Sequence, residues 1–120
     1  MRLRGVHMHE TGLANRFVQA AFEEATRRGA ARVLTVSARI GALQAVDVDH
    51  LVSDFDELVR GTPLAGARLI VERVPATSEC LDCGATGPGE GEAEPCPACS
   101  GWRRETITGL ECELTALEIE

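Results

Sequence analysis

The sequence predicts an α+β fold in which two helices pack on a small sheet of about three strands, interrupted by a cysteine-rich insertion. Two apolar patterns with the helical period flank an alternating, strand-like pattern, and two further alternating segments follow. A glycine-rich stretch with four cysteines separates these last two segments. Helix and strand patterns that share one apolar core are typical of this fold class.

The two helices are predicted from apolar positions spaced three and four residues apart. The first covers Leu13 to Ala25, and its apolar face includes Phe22. The second covers Val48 to Val59 and shows the clearer pattern. Asp47 or Asp49 is placed to cap its start, because a short carboxylate accepts a hydrogen bond from the free N–H groups of the first turn.

The strands are predicted at residues 34–40, 67–74 and 109–120, where apolar and polar residues alternate. In the last of these segments Leu110, Cys112 and Leu114 share the apolar side. We therefore expect Cys112 to be a buried core thiol. The insertion begins at Thr77 and interrupts the sheet before its final strand.

Size and composition limit the class of protein. The chain has 120 residues, 44% of them hydrophobic, which is enough for a modest core. No stretch approaches the ~20 apolar residues of a membrane span, and the first ten residues lack a secretory signal pattern. We expect a soluble cytoplasmic protein. The net charge of −7, with twelve scattered arginines, disfavours nucleic-acid binding.

The strongest motif is a pair of C-x-x-C sequences, Cys80 with Cys83 and Cys96 with Cys99, separated by twelve residues. A two-residue gap lets both thiolates of a pair bind one ion, and two such pairs complete a tetrahedron of sulfur. A structural zinc site is the preferred interpretation. Iron bound by four thiolates and a redox dithiol remain open, although a redox pair usually opens a helix in a thioredoxin-like unit.

These cysteines define the predicted division of the chain. Residues 77–106 would form a zinc-ribbon domain, since their glycine-rich spacer cannot pack a core and the metal would have to stabilise it. Residues 1–76 plus 107–120 would form the α+β domain.

Donor residues also gather before the first helix, at His7, Met8, His9 and Glu10. Taken alone this is a weak signal, because such residues at a terminus are often only solvated. His50 is weaker still, as it falls on the polar side of the second helix.

The order of these parts is more specific than any one of them. Met8-His9-Glu10, a helix, Gly41-x-Leu43 at the end of a strand, a second helix, two C-x-x-C knuckles and a last strand after Gly109 together resemble the HypA/HybF family of nickel-incorporation proteins. The resemblance covers residues 8–120.

The resemblance implies a nickel metallochaperone that delivers Ni(II) for maturation of [NiFe] hydrogenase. It implies that His9 is the principal nickel ligand, supported by Met8 and Glu10, and that Cys80, Cys83, Cys96 and Cys99 hold a structural Zn(II). The implied partners are a HypB-type GTPase and the hydrogenase large subunit, and a homodimer is left open.

The chain departs from the family pattern at its start. In the family the methionine of M-H-E is the initiator and its amine is available to bind metal, whereas seven residues precede Met8 here. We favour translation from Met8. If it starts at Met1, His7 is placed to replace the amine in part.

Two other classes of function compete with this interpretation. A zinc-ribbon adaptor that binds protein or nucleic acid would use Trp102, Arg103 and Arg104, but Glu90, Glu92 and Glu94 lie nearby. An enzyme is disfavoured, because no nucleophile has a credible histidine and acid partner and no phosphate-binding loop follows a strand. We therefore predict no catalytic residues.

Overall fold

The computed structural model of the chain describes residues 10–91 and 93–120. Along the chain, the elements are α1 (Glu10–Arg27), β1 (Val33–Gly41), α2 (Val48–Leu58), β2 (Arg68–Val74), β3 (Thr77–Cys80), β4 (Thr86–Pro88), β5 (Arg104–Thr108) and β6 (Cys112–Ile119). Both predicted helices and all three predicted strands are present. The predicted fold class is confirmed, with two helices, a three-stranded sheet and an insertion that carries four cysteines.

The first sheet has the strand order β2-β1-β6. The Ala42 N–H donates to the Val74 carbonyl at 2.7 Å, so the carboxyl ends of β1 and β2 lie side by side. The two strands therefore run parallel, and α2 is the crossover that such a pair requires. Asp47 caps α2 as predicted, its side chain accepting a hydrogen bond from the His50 N–H.

Strand β6 runs antiparallel to β1. At one end the Gly41 N–H donates to the Glu111 carbonyl, and at the other the Glu120 N–H donates to the Arg32 carbonyl, both at 2.8 Å. The last segment of the chain thus closes one side of the sheet, with β2 on the other side.

Helix α1 packs against α2. The phenyl rings of Phe17 and Phe55 are fully buried. The buried face of α1 is narrower than its apolar pattern predicts, since Phe22 is 43% exposed. That prediction was wrong because Phe22, five residues from Phe17, lies about 140° around the helix axis from it and so points away from the buried face.

The insertion contains a sheet of its own, with the order β4-β3-β5. Both pairs are antiparallel, with Ser78 opposite Gly87 on one side and Thr106 on the other. These strands bring the two C-x-x-C segments to the same end of the insertion.

Gly41 lies where its own backbone comes very close to the backbone of Gly109. A Cβ atom on Gly41 would lie 2.0 Å from both the carbonyl carbon and oxygen of Gly109, and 2.5 Å from the Leu110 nitrogen. Neighbouring backbone hydrogen bonds fix this approach, including the one from the Leu43 N–H to the Gly109 carbonyl at 2.8 Å. Only glycine fits at this position.

The prediction of a buried Cys112 was wrong. Cys112 is half-buried, and Leu110 is 60% exposed. Leu110 precedes β6, and β6 is an edge strand, so one flank of this segment meets solvent.

Contacts divide the chain into two compact units. One contains the described residues up to Arg39 with residues 45–72 and 113–120, and the other contains residues 40–44 and 73–112. The second unit includes the entire cysteine-rich insertion. The domain boundaries given by the sequence, at 76/77 and 106/107, stay a prediction. Within residues 10–91 and 93–120, no helix is long and apolar enough to cross a membrane.

Candidate metal centres

The four cysteines of the two C-x-x-C motifs form one cluster. The Sγ atoms of Cys80, Cys83, Cys96 and Cys99 all lie within 4.8 Å of one another. The Sγ atoms of Cys80 and Cys99 are 3.6 Å apart, as are those of Cys83 and Cys96. A tetrahedral zinc with Zn–S bonds of about 2.3 Å requires sulfur atoms roughly 3.8 Å apart. The cluster therefore has the donor set and the dimensions of a four-thiolate metal site.

Each pair of cysteines lies on a tight turn of the same design. In the first, the Gly84 N–H donates to the Cys80 carbonyl at 2.9 Å; in the second, the Ser100 N–H donates to the Cys96 carbonyl at 2.8 Å. Gly84 and Ser100 both adopt positive φ angles, of 76° and 62°. These turns hold the two sulfur atoms of each pair on the same side of the backbone.

Backbone N–H groups point at the first sulfur of each turn. The Ala98 N–H donates to Cys96 Sγ at 3.4 Å. The N–H groups of Cys99 and then Ala98 lower the pKa of Cys96 to about 7, and those of Cys83 and Asp82 lower the pKa of Cys80 in the same way. Such donors stabilise a thiolate, the form that binds metal.

Crowding opposes complete ionisation of the cluster without a cation. The Gly101 N–H lowers the pKa of Cys99, yet the neighbouring thiols of Cys80 and Cys83 raise it on balance to about 12. A divalent cation removes this conflict, since it lets all four sulfurs carry negative charge. The chemistry of the donor set thus fits a bound zinc, whose part would be to hold the two turns together.

The insertion has little else to stabilise it. Between Thr77 and Thr108 the described buried side chains are those of Ser78, Cys80, Cys96 and Arg104. Among these four there is no aliphatic or aromatic side chain. This unit accordingly resembles small metal domains whose folding depends on the ion.

Two of the three residues that an adaptor would use to bind nucleic acid are engaged within the protein. Arg104 is 7% exposed, and its guanidinium donates to the carbonyls of Glu94 and Pro88 at 3.0 and 3.2 Å. The Arg103 guanidinium lies 3.3 Å from the Asp82 carboxylate. Trp102 remains 66% exposed. Ion pairing and burial therefore leave this part of the insertion without a basic stripe.

The predicted nickel ligands are only partly described. His9 and Met8 lie outside the described residues, whereas Glu10 begins α1. Glu10 Oε1 accepts a hydrogen bond from the Asp47 N–H at 2.9 Å. This hydrogen bond holds the side chain of Glu10, the residue after Met8-His9, against the N-terminal end of α2.

His50 also lies beside Glu10, although its position on the polar side of the second helix made it a weak candidate for a metal ligand. Its Nδ1 is 3.8 Å from Glu10 Oε2, and its Nε2 is 3.3 Å from Asp54 Oδ2. The spacing of four residues between His50 and Asp54 was the one sequence signal for this pair. Their approach to Glu10 follows from the packing of α1 on α2.

Comparison with known proteins identifies the family. Residues 8–119 match the family described as "Hydrogenase/urease nickel incorporation, metallochaperone, hypA". A hydrogenase maturation factor HypA from Geobacter metallireducens is 38% identical over 113 residues, which is 94% of this chain and 100% of the relative. A protein of the same name from Chloroflexus aurantiacus is 41% identical over 115 residues, covering 92% of this chain and 98% of the relative.

Solved structures show the same fold. The solution structure of the nickel metallochaperone HypA from Helicobacter pylori superposes with a TM-score of 0.66 at 24% identity, covering 93% of this chain and 97% of that one. A second HypA solution structure gives a TM-score of 0.72, also at 24% identity, and the match covers 97% of this chain and 98% of that chain. The match over residues 8–119 and the relatives that are 38% and 41% identical show that the chain belongs to the HypA family, a family of metallochaperones and not of enzymes, as the sequence predicted.

Proposed function

We propose that this protein binds Ni(II) through His9, supported by Met8 and Glu10, and delivers the metal for maturation of [NiFe] hydrogenase. The observation that carries the proposal is the family match, which begins at Met8 and so includes the whole M-H-E motif. Nickel is the cargo, held transiently and then released.

The surroundings of Glu10 favour this role. The motif ends where α1 begins, and the hydrogen bond from the Asp47 N–H anchors Glu10 to a second helix. Imidazole nitrogen and carboxylate oxygen are suitable donors for Ni(II).

Zinc is the proposed occupant of the four-cysteine cluster, in a structural role. A closed set of four thiolates leaves no position for a water molecule, so the site would not be catalytic. We propose that residues 77–106 form the zinc-ribbon domain, and that residues 1–76 plus 107–120 form the nickel-binding domain. The second sheet and the scarcity of buried apolar side chains in the insertion support that division.

The proposed partners are a HypB-type GTPase and the large subunit of [NiFe] hydrogenase. Relatives named hydrogenase maturation factors support this role. GTP hydrolysis would belong to the partner, because this sequence has no phosphate-binding loop. We place the protein in the cytoplasm, in keeping with five cysteines that form no disulfide. A homodimer is compatible with this function.

A nickel titration of two purified forms, one starting at Met1 and one at Met8, tests the proposal. Each form is compared with its His9→Ala variant. We expect His9→Ala to abolish nickel binding in both forms while zinc content and the circular dichroism spectrum stay unchanged. Loss of zinc in that variant would contradict separate sites.

The comparison of the two forms also shows what the terminal amine contributes. Tighter binding by the form that starts at Met8 would identify the amine as a ligand. Equal binding would indicate that His7 or another side chain replaces it. If neither form binds nickel, the proposal fails and the zinc-ribbon adaptor becomes the better interpretation.

A further inference from the structure

His50 lies between two carboxylates that belong to different helices. Its Nδ1 faces Glu10 Oε2 from α1 at 3.8 Å, and its Nε2 faces Asp54 Oδ2 from its own helix at 3.3 Å. The His50 side chain is 55% exposed, whereas those of Glu10 and Asp54 are each 17% exposed. An imidazole that solvent can reach is thus held between two shielded acidic groups.

Asp54 is itself held in place. Its Oδ2 accepts a hydrogen bond from Thr11 Oγ1 at 2.7 Å, so α1 fixes the carboxylate that faces Nε2. In metal sites, a ligating histidine almost always donates its second ring N–H to a carboxylate or carbonyl, which sets the orientation of the ring. Nε2 of His50 lies 3.3 Å from Oδ2 of Asp54, so a proton on Nε2 would face that carboxylate and the lone pair on Nδ1 would face Glu10.

The distance between Nδ1 of His50 and Oε2 of Glu10 suits a shared ion better than a direct bond. At 3.8 Å it exceeds the range of a hydrogen bond. A divalent first-row ion about 2.1 Å from each of two donors leaves them roughly 3.0–4.2 Å apart, depending on the angle at the ion. The other oxygen of Glu10 already accepts the Asp47 N–H, as expected of a ligating carboxylate that a hydrogen bond orients.

We propose that His50 is a further nickel ligand, which binds through Nδ1 beside Glu10, and that Asp54 is the positioning residue for its ring. The inference rests on the proposed nickel function at Met8-His9-Glu10 and adds a nitrogen donor from α2 to it. Imidazole is a good ligand for nickel, and the exposure of His50 lets an ion enter without unfolding. The nickel site would then be completed by the packing of α1 on α2.

The test uses the full chain with zinc bound and titrates it with nickel. We compare the unchanged protein with His50→Ala, Asp54→Asn, His9→Ala and a control, Asp56→Asn. Asp56 is exposed on the same helix, and its change removes the same charge as Asp54→Asn. We expect His50→Ala to weaken nickel binding about tenfold or more and Asp54→Asn to weaken it less. Asp56→Asn should bind as the unchanged protein does.

X-ray absorption at the nickel edge supplies a measurement that a merely structural role would not change. The unchanged protein should show one imidazole more in its nickel coordination than His50→Ala. In a long-range proton–nitrogen spectrum, one equivalent of nickel should shift Nδ1 of His50, and this observation needs no substitution at His50.

The outcomes separate this inference from the proposed function. If His50→Ala binds nickel within twofold of the unchanged protein and Nδ1 does not respond, the inference is wrong, while loss of binding in His9→Ala still supports the proposed function. If His9→Ala binds normally, the proposed function fails at His9. A response of Nδ1 in that case would still establish His50 as a ligand.

Discussion

Replacing Cys96 by serine is the most direct test of the metal cluster. Cys96 is 2% exposed, and its Sγ lies 3.6 Å from that of Cys83. A serine hydroxyl stays protonated at neutral pH and is a poor zinc ligand, so the substitution removes one of four thiolates with little change of volume. We expect the variant to bind zinc far more weakly, and the insertion to lose its structure when a chelator removes the metal.

The size of the effect follows from the symmetry of the cluster. A structural zinc site contributes on the order of 10–16 kcal/mol at pH 7. Because the four sulfurs are arranged as two turns of the same design, we assign each about a quarter, or roughly 2.5–4 kcal/mol. Zinc binding should therefore weaken about 100- to 1,000-fold. Among the described residues of the insertion, few other buried side chains remain to compensate.

The assay is a competition titration of zinc against a chelator, together with an amide nitrogen–proton spectrum at a chelator concentration that leaves the unchanged protein loaded with zinc. Signals from residues 77–108 should collapse towards random-coil positions, while those of α1 and α2 stay dispersed. Cys112→Ser is the matched control, since Cys112 lies outside the metal cluster and the same atom is exchanged. That variant should keep a full equivalent of zinc.

A zinc affinity in Cys96→Ser equal to that of the unchanged protein, with dispersed insertion signals in the presence of the chelator, would refute the four-thiolate assignment. Collapse of the helical signals along with the insertion would instead refute the reasoning that the metal stabilises mainly its own unit.

Three further changes test other parts of the structure. Phe55→Ala removes a fully buried ring and should lower the free energy of unfolding by about 3–5 kcal/mol in urea titrations; a loss below ~1 kcal/mol would argue against this core. Gly41→Ala places a methyl group 2.0 Å from Gly109 backbone atoms, so we expect a much lower melting temperature, and an unchanged one would disprove that approach. Zinc affinity should fall as the pH drops through about 7, where N–H donors place the pKa of Cys96, because protons then compete for the thiolates. A zinc affinity that stays constant from pH 8 to 6 in a competition assay would contradict this.

Local patterns in the sequence predicted most of the elements. Apolar spacing predicted α1 and α2, because a helix places residues three and four apart on one face whatever surrounds it. Alternation predicted β1, β2 and β6, and the two C-x-x-C motifs predicted a shared metal site because each turn is built within a few residues. The family resemblance likewise depended on the order of these local parts.

Tertiary structure decided what depends on contacts between distant residues. The strand order β2-β1-β6, the separate sheet of the insertion and the burial of Arg104 have no local signal. His50 is the clearest case, since it is forty residues from Glu10 in sequence and meets it only because α1 packs on α2. Helical and strand periodicity act over a few residues, whereas a site shared by two helices exists only after the chain has folded.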